Sequence, residues 1–74
     1  MEWVTVFGVA YHVKRVLTLR MLQDGAIEAV VSRLGSLLVL VVHKGEEGYQ
    51  ALMNLHIERL RAEITELLVA GGVL

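Results

Sequence analysis

The segment from residue 36 to residue 43 constrains this chain most, because it is apolar on both of its alternating faces. It has the sequence Ser-Leu-Leu-Val-Leu-Val-Val-His and lies between Gly35 and Gly45. A short run of this kind, bounded by glycines, is typical of a β-strand that other elements cover on both sides. We therefore expect it at the centre of a sheet, in a chain that provides apolar partners for both faces.

The size of the chain limits how many such partners it contains. Its 74 residues predict a single α+β domain spanning residues 1–74, and a domain this small buries only about 60% of the surface of its unfolded chain. Hydrophobic residues make up 55% of the sequence and charged residues 20%, a composition that excludes intrinsic disorder. The surplus of apolar residues predicts that part of the surface meets another chain.

Two strands are predicted before the central segment. Residues 2 to 11 place their large side chains on one parity, which is the period-2 pattern of a strand. These side chains are those of Trp3, Phe7, Val9 and Tyr11. We expect Gly8 to mark a bulge or bend, and the aromatic rings to pack beneath a helix. Residues 16 to 22 alternate again and predict a second strand.

The segment from residue 26 to residue 34 fits two structures. Asp24 and Gly25 before it form a turn signal, because both tolerate the backbone conformations of tight reversals. The apolar positions match a helix face as well as a strand, and we favour the strand because it completes a meander of hairpins. If the segment is helical, Gly35 is a natural residue to end it.

A C-terminal helix over about residues 46 to 69 is the best-defined predicted element. Five apolar residues recur along it at spacings of 4, 3, 4 and 3. This seam consists of Met53, Ile57, Leu60, Ile64 and Leu67. We expect Glu46 and Glu47 in the first turn, where the helix dipole favours negative charge, and an end at Gly71 and Gly72.

Together these elements predict an α+β fold with an antiparallel sheet of three or four strands and the long C-terminal helix packed on one face. A ferredoxin-like βαββαβ arrangement and a βββα meander both fit this pattern. The alternative is an all-α death-fold-like bundle.

The inventory of reactive side chains predicts no enzyme, no cofactor and no metal site. The chain has no cysteine, and His12, His43 and His56 have no metal-ligand spacing to one another or to a carboxylate. Neither serine lies in a nucleophile-elbow sequence. The loop from residue 44 to residue 48 leads from a strand into a helix, but it lacks the glycine patterns of nucleotide sites and carries two glutamates where a phosphate would lie.

Charge and hydropathy narrow the class of partner. Residues 1 to 45 carry five basic and three acidic groups, or +2, whereas residues 46 to 74 carry two basic and five acidic groups, or −3. This asymmetry is modest, so we expect neither nucleic acid nor membrane as a partner. Glu2 lies where a signal peptide carries basic residues, so we expect a cytoplasmic protein.

Two family resemblances arise over the same stretch. Residues 32 to 42, with the amphipathic helix that follows, resemble the closing strands and last helix of Roadblock domains. That resemblance covers the C-terminal half and implies a non-enzymatic, dimerising regulator of small GTPases or motors. A second set is similar to the fourth and fifth helices of caspase-recruitment domains, which implies that residues 39 to 42 are helical. It comprises Arg33, Gly35, Leu37, Leu38, Lys44, Gly45, Gly48 and Tyr49.

The function predicted from these observations is a small, non-catalytic, homo-oligomeric module for protein–protein interaction or regulation, with a homodimer as the first expectation. One parity of the central strand is expected to face the helix and the other to meet a second chain, together with part of the helix seam. The candidate interface comprises Leu37, Leu38, Val39, Leu40, Val41, Val42, Met53, Ile57, Leu60, Ile64 and Leu67. The alternative is a small-molecule sensor or carrier whose pocket lies at the subunit interface, with Tyr11, His43 or His56 as polar contacts.

Overall fold

A computed structural model describes residues 1–74, and it contains five strands and one long helix. The strands form two antiparallel sheets, and a short 3-10 turn at Val13–Arg15 connects them. In chain order the elements are β1 (Trp3–Val6), β2 (Val9–His12), β3 (Val16–Met21), β4 (Ile27–Arg33), β5 (Ser36–Val42) and α1 (Tyr49–Ala70).

The α+β prediction is confirmed, and the all-α alternative is wrong. Residues 39 to 42 belong to strand β5, so the helices that the resemblance to caspase-recruitment domains implies are not formed. The helix follows a meander of three strands, and a hairpin precedes that meander. The order is therefore that of a meander plus helix, and the ferredoxin-like arrangement is not observed.

The first predicted strand is a hairpin instead. Strands β1 and β2 pair from Trp3 opposite His12 to Val6 opposite Val9, and the chain reverses at Phe7 and Gly8. Gly8, expected to mark a bulge or bend within one strand, lies instead in a full reversal between two strands, which was not predicted because it lacks the usual Asn-Gly or Asp-Gly signal. The two residues that flank the turn, Val6 and Val9, are paired and point to the same face, so the inward-facing positions change from even numbers in β1 to odd numbers in β2. The odd-numbered large residues therefore do not share one face.

The large sheet has the order β3-β4-β5, with tight turns between its strands. Before β4, the Ala26 N–H donates to Asp24 Oδ1 at 3.0 Å, and Gly25 has a φ of 88°. The turn at Asp24 and Gly25 and the strand at β4 are thus confirmed. The prediction that residues 36 to 43 form the centre of the sheet was wrong, because β5 is an edge strand.

The tips of the β1–β2 and β4–β5 hairpins each hold a large apolar residue in the left-handed region. Phe7 has a φ of 49° and Leu34 a φ of 51°, and each is followed by a glycine with positive φ. Asn, Asp or Gly normally occupies such positions, because a larger side chain is strained there. Both side chains are exposed, and Leu34 retains 92% of its accessible surface.

One face of the large sheet forms the core. On β4 the buried side chains are those of Ile27, Ala29 and Val31. Their partners on β5 are Val42, Leu40 and Leu38, so these residues point to the same face. The two sheets and α1 together bury Val4, Val6, Tyr11, Val16, Ala26, Ile27, Ala29, Val31, Val42, Leu52 and Leu55.

The helix begins later than predicted. Gly48 is its N-cap and no acidic residue lies in its first turn, because Glu46 and Glu47 belong to the preceding loop. There a carboxylate oxygen of Glu46 accepts the His43 N–H at 2.6 Å, and that of Glu47 accepts the Gly8 N–H. Glu46 therefore forms a hydrogen bond within the loop, and Glu47 connects the loop to the turn of the β1–β2 hairpin. The predicted end at Gly71 is confirmed.

Only the first half of α1 packs on the sheets. Leu52 and Leu55 are its buried residues, and the Tyr49 hydroxyl donates to the Gly25 carbonyl oxygen at 2.8 Å. Of the aromatic residues expected to pack beneath the helix, only Tyr11 is buried in the core, and Trp3 and Phe7 are each more than half exposed. Val4 and Val6 point to the core, so Trp3 on the same strand points away from it, whereas Phe7 lies in the exposed turn between β1 and β2.

Candidate functional site

The outer face of the large sheet has no covering layer. Leu37, Val39 and Val41 retain 68%, 57% and 39% of their accessible surface. These residues pair with Ser32, Val30 and Glu28 of β4, so they form one row on the face opposite the core. The odd-numbered residues of β5 therefore lie on the face that no other element covers.

The seam of α1 is also exposed. Its last four members, Ile57, Leu60, Ile64 and Leu67, retain between 40% and 67% of their accessible surface, whereas Met53 is half-buried. At about 100° per residue, the seam lies roughly 60 to 140° around the helix from the buried Leu52. The sequence-predicted seam is therefore a surface beside the packed stripe, not the packed stripe itself.

The second half of α1 extends beyond the folded core. Every residue from 60 to 70 is exposed. The hydrogen bond furthest along α1 that reaches another element is the one in which Arg59 Nη2 donates to the carbonyl oxygen of Val13, in the 3-10 turn, at 3.0 Å. Isolated helical segments shorter than about 12 to 15 residues are marginal in water. An apolar stripe on such a segment is thus the least supported part of the structure.

A groove of about 260 Å³ lies where the open end of the β1–β2 hairpin meets the tip of the β4–β5 hairpin. Its eight lining residues include two arginines and no carboxylate. They are Trp3, Ala10, Tyr11, His12, Arg15, Ser32, Arg33 and Leu34. The larger of the two surface concavities, by contrast, is bounded only by residues of α1 around Ile57.

Aromatic contacts order the groove. The Trp3 and His12 rings meet edge to face with centroids 4.9 Å apart, and the guanidinium of Arg33 lies 5.8 Å from the centroid of the Tyr11 ring. His12 Nδ1 accepts the Lys14 N–H at 3.1 Å, so in the neutral imidazole the proton lies on Nε2. The groove therefore presents cationic and neutral donors beside an exposed indole.

Of the three histidines singled out in the sequence, His43 follows directly after the end of β5 and is exposed. Its ring contacts Asp24 at 3.4 Å and Glu46 at 3.2 Å, on the exposed side of the loop after β5. The backbone hydrogen bond from Ala26, followed by the nearby His43, holds the pKa of Asp24 below its ordinary value. His56 is half-buried on α1 and far from this loop in sequence. No group of three or more His, Asp or Glu side chains is arranged to hold a metal ion.

The sequence identified residues that line the groove, but it did not predict that they lie together. Trp3, Tyr11, Arg15 and Arg33 belong to the aromatic and basic sets of the first half of the chain. The structure brings these four together and separates them from Arg20, which pairs with Glu28 at 2.8 Å on the outer face of the sheet. The pairing register of the strands determines which arginines line the groove and which lie on the outer face. The composition of the sequence does not reveal that register.

A comparison with protein-family models, with curated proteins and with solved structures finds no match for this chain. The α1 helix is also not long and apolar enough to cross a membrane.

Proposed function

We propose that the chain is a small, non-catalytic module that acts through association with a second copy of itself, as an interaction or regulatory unit of the cytoplasm. The observation that carries this proposal is the exposed seam on the unsupported half of α1. Four large aliphatic side chains lie there at spacings of 3, 4 and 3. Burial of such a side chain contributes about 1.5 to 3 kcal/mol, which a free monomer forgoes.

The residue types on the seam favour one geometry. In heptad terms, Ile57 and Ile64 occupy a positions, whereas Leu60 and Leu67 occupy d positions. In parallel coiled coils, a β-branched residue at a with leucine at d favours two helices over three or four. The proposed assembly is therefore a dimer in which the second halves of two α1 helices lie side by side, in parallel.

The decisive experiment compares two substitutions on one helix. Ile64 and Val69 each retain 56% of their accessible surface, but Val69 lies about 140° around the helix from Ile64 and outside the seam. Sedimentation analysis should show a dimer for the wild type and for Val69→Glu, and a monomer for Ile64→Glu. Circular dichroism of Ile64→Glu should retain the strand signal, because the sheets do not touch this half of the helix.

Two results would overturn the proposal. A wild-type chain that sediments as a monomer at its highest soluble concentration has no second copy on the seam. Equal dissociation by Ile64→Glu and Val69→Glu would show that added charge, rather than loss of the seam, separates the subunits.

The alternative function is a small-molecule sensor. It was expected to have its pocket at the subunit interface, but the groove that supports it lies elsewhere. The groove that contains Tyr11 is formed within one chain, and neither His43 nor His56 lines it. A ligand site at this place does not need a subunit interface.

A further inference from the structure

The groove between the two hairpins combines features that the oligomer proposal does not use. Arg15 and Arg33 both line it, and neither forms an ion pair with a carboxylate. Of the other three arginines, Arg20 is neutralised by Glu28, Arg59 donates to a backbone carbonyl oxygen, and Arg61 lies on α1 in a concavity whose lining includes Glu58. Two guanidinium groups in one groove without a counter-charge attract an anion, and phosphate and carboxylate groups match their planar donor geometry.

The remaining polar atoms of the groove are also suited to an anion. The protonated Nε2 of His12 and the hydroxyl of Ser32 add two donors to those of the arginines. The lining contains no Asp or Glu side chain that would repel negative charge. Four side chains can thus donate to the several oxygens of a phosphate group.

The apolar part of the lining is suited to a flat ring. The Trp3 side chain retains 58% of its accessible surface, and its contact with the His12 ring limits its rotation. Leu34 adds an apolar wall from the tip of the β4–β5 hairpin, where it is held at positive φ and is 92% exposed. Strained backbone positions of this kind persist at ligand clamps, where a side chain must project at a fixed point.

We propose that the groove lined by Trp3, Arg15 and Arg33 binds a phosphorylated molecule with a planar ring, that is, a nucleotide. The ring stacks on the exposed indole, and the phosphate accepts hydrogen bonds from the two guanidinium groups. A free nucleotide and one residue of a single strand present the same chemistry, and the experiment separates them.

Trp3 is the single tryptophan of the chain, so its fluorescence reports directly on the groove. The probe is adenosine 5′-monophosphate, titrated into the wild-type protein at low salt, with adenosine and inorganic phosphate titrated in parallel. Saturable quenching by the nucleotide is expected, with at least roughly tenfold weaker binding of either fragment, because each lacks one of the two contacts. Isothermal calorimetry provides a second measurement for each compound.

Substitutions locate the bound anion. Arg15→Ala and Arg33→Ala should each weaken nucleotide binding by roughly tenfold, whereas Arg20→Ala, on the outer face of the sheet, should leave it unchanged. The Ile64→Glu variant should bind as tightly as the wild type, because no seam residue lines the groove. Failure of the oligomer proposal and failure of this one are thereby distinguished.

The source of the nucleotide follows from a third titration with a short single-stranded oligodeoxyadenylate. Tighter binding than that of the mononucleotide identifies a strand as the ligand, and equal or weaker binding identifies the free nucleotide. The proposal is overturned if the nucleotide causes neither quenching nor heat, if adenosine or phosphate alone binds as tightly, or if Arg33→Ala retains wild-type affinity.

Discussion

Gly48 lies so close to Val6 that no other residue fits between α1 and strand β1. A Cβ atom on Gly48 would lie 2.7 Å from Val6 Cγ2 and 2.9 Å from the Thr5 carbonyl oxygen. Gly48 also has a φ of 96°, which side chains rarely adopt. The close approach sets the first turn of the helix directly on the β1–β2 hairpin.

Substitution of this glycine tests that contact. Gly48→Ala should lower the free energy of unfolding by about 3 kcal/mol or more, because it adds a steric overlap to the cost of positive φ. Gly45 has a similar φ of 92° with nothing within 4 Å of an added Cβ, so Gly45→Ala should cost only about 1 kcal/mol. Urea denaturation of the two variants measures the difference, and equal losses would contradict the assigned contact.

A cysteine substitution tests the parallel orientation of the proposed helix pair. The chain has no cysteine, so an introduced thiol can bond only with its copy in another chain. In a parallel pair Leu67 faces Leu67 of the second copy, within the Cα separation that a disulfide requires. Leu67→Cys should therefore form a disulfide-linked dimer under mild oxidation.

Ala62 provides the control for this experiment, because it lies five residues before Leu67, or about 140° around the helix. Ala62→Cys should remain monomeric on a non-reducing gel. Equal cross-linking at both positions would point to random collision. Efficient cross-linking at neither would contradict the parallel pair.

The two parities of β5 predict opposite outcomes for the same substitution. Val42 is fully buried, so Val42→Glu places an unpaired charge in the core and should unfold the chain. Val39 lies on the outer face and is 57% exposed, so Val39→Glu should change the free energy of unfolding by less than about 1 kcal/mol. Thermal denaturation followed by circular dichroism compares them.

The Val39→Glu variant should also be more soluble than the wild type. An uncovered apolar face on an edge strand promotes self-association at high concentration, and charge on the edge opposes it. Light scattering over a concentration series should show growth in mass beyond the dimer for the wild type alone. If both chains grow equally, the outer face does not take part.

The ion pair on that face predicts a loss of stability in acid. The hydrogen bond from Arg20, with its positive charge, holds the pKa of Glu28 below the ordinary value of 4.5. A carboxylate whose pKa is lower in the folded than in the unfolded state stabilises the fold fully above the unfolded pKa. That contribution disappears as the pH falls through the folded pKa. Glu28→Gln should therefore have a shallower loss of stability below about pH 4.5.

Asp24, whose pKa is also lowered, should retain its part of the acid dependence in that variant. Glu66→Gln, on the exposed end of α1, is the matched control and should follow the wild-type profile. Denaturation midpoints measured from pH 3 to pH 7 make the comparison. An unchanged acid profile in Glu28→Gln would contradict the assigned pair.

Features of the fold that depend on residues close together in sequence were predictable, and features that depend on the arrangement of whole elements were not. Asp24 and Gly25 carry local turn chemistry, and β4 was correctly predicted from the hairpins around it. The edge position of β5 was not predicted, because a strand that is apolar on both faces has the same pattern at the centre and at the edge. Its uncovered row became visible only from the pairing of Val39 with Val30.

The same distinction applies to the two candidate sites, the helix seam and the groove. The seam through Ile57 and Leu60 follows from helical periodicity, but that periodicity does not tell a packed stripe from an exposed one. The groove depends on Trp3 and Arg33, which are 30 positions apart in the sequence. Their approach results from the placement of one hairpin against another, and no local pattern specifies it.

The hydrogen bonds of α1 run through the whole helix, but only its first half packs on the sheets. The two halves should therefore differ in amide exchange. Amides around Leu52 are protected by the core, so they exchange with solvent only when the whole chain unfolds. Amides after Arg59 depend on helical hydrogen bonds that fray from Ala70, so in a single chain they exchange within local openings. Docking of a second copy would slow their exchange. The exchange rate of this segment therefore reports the fraction of the protein that is assembled at a given moment.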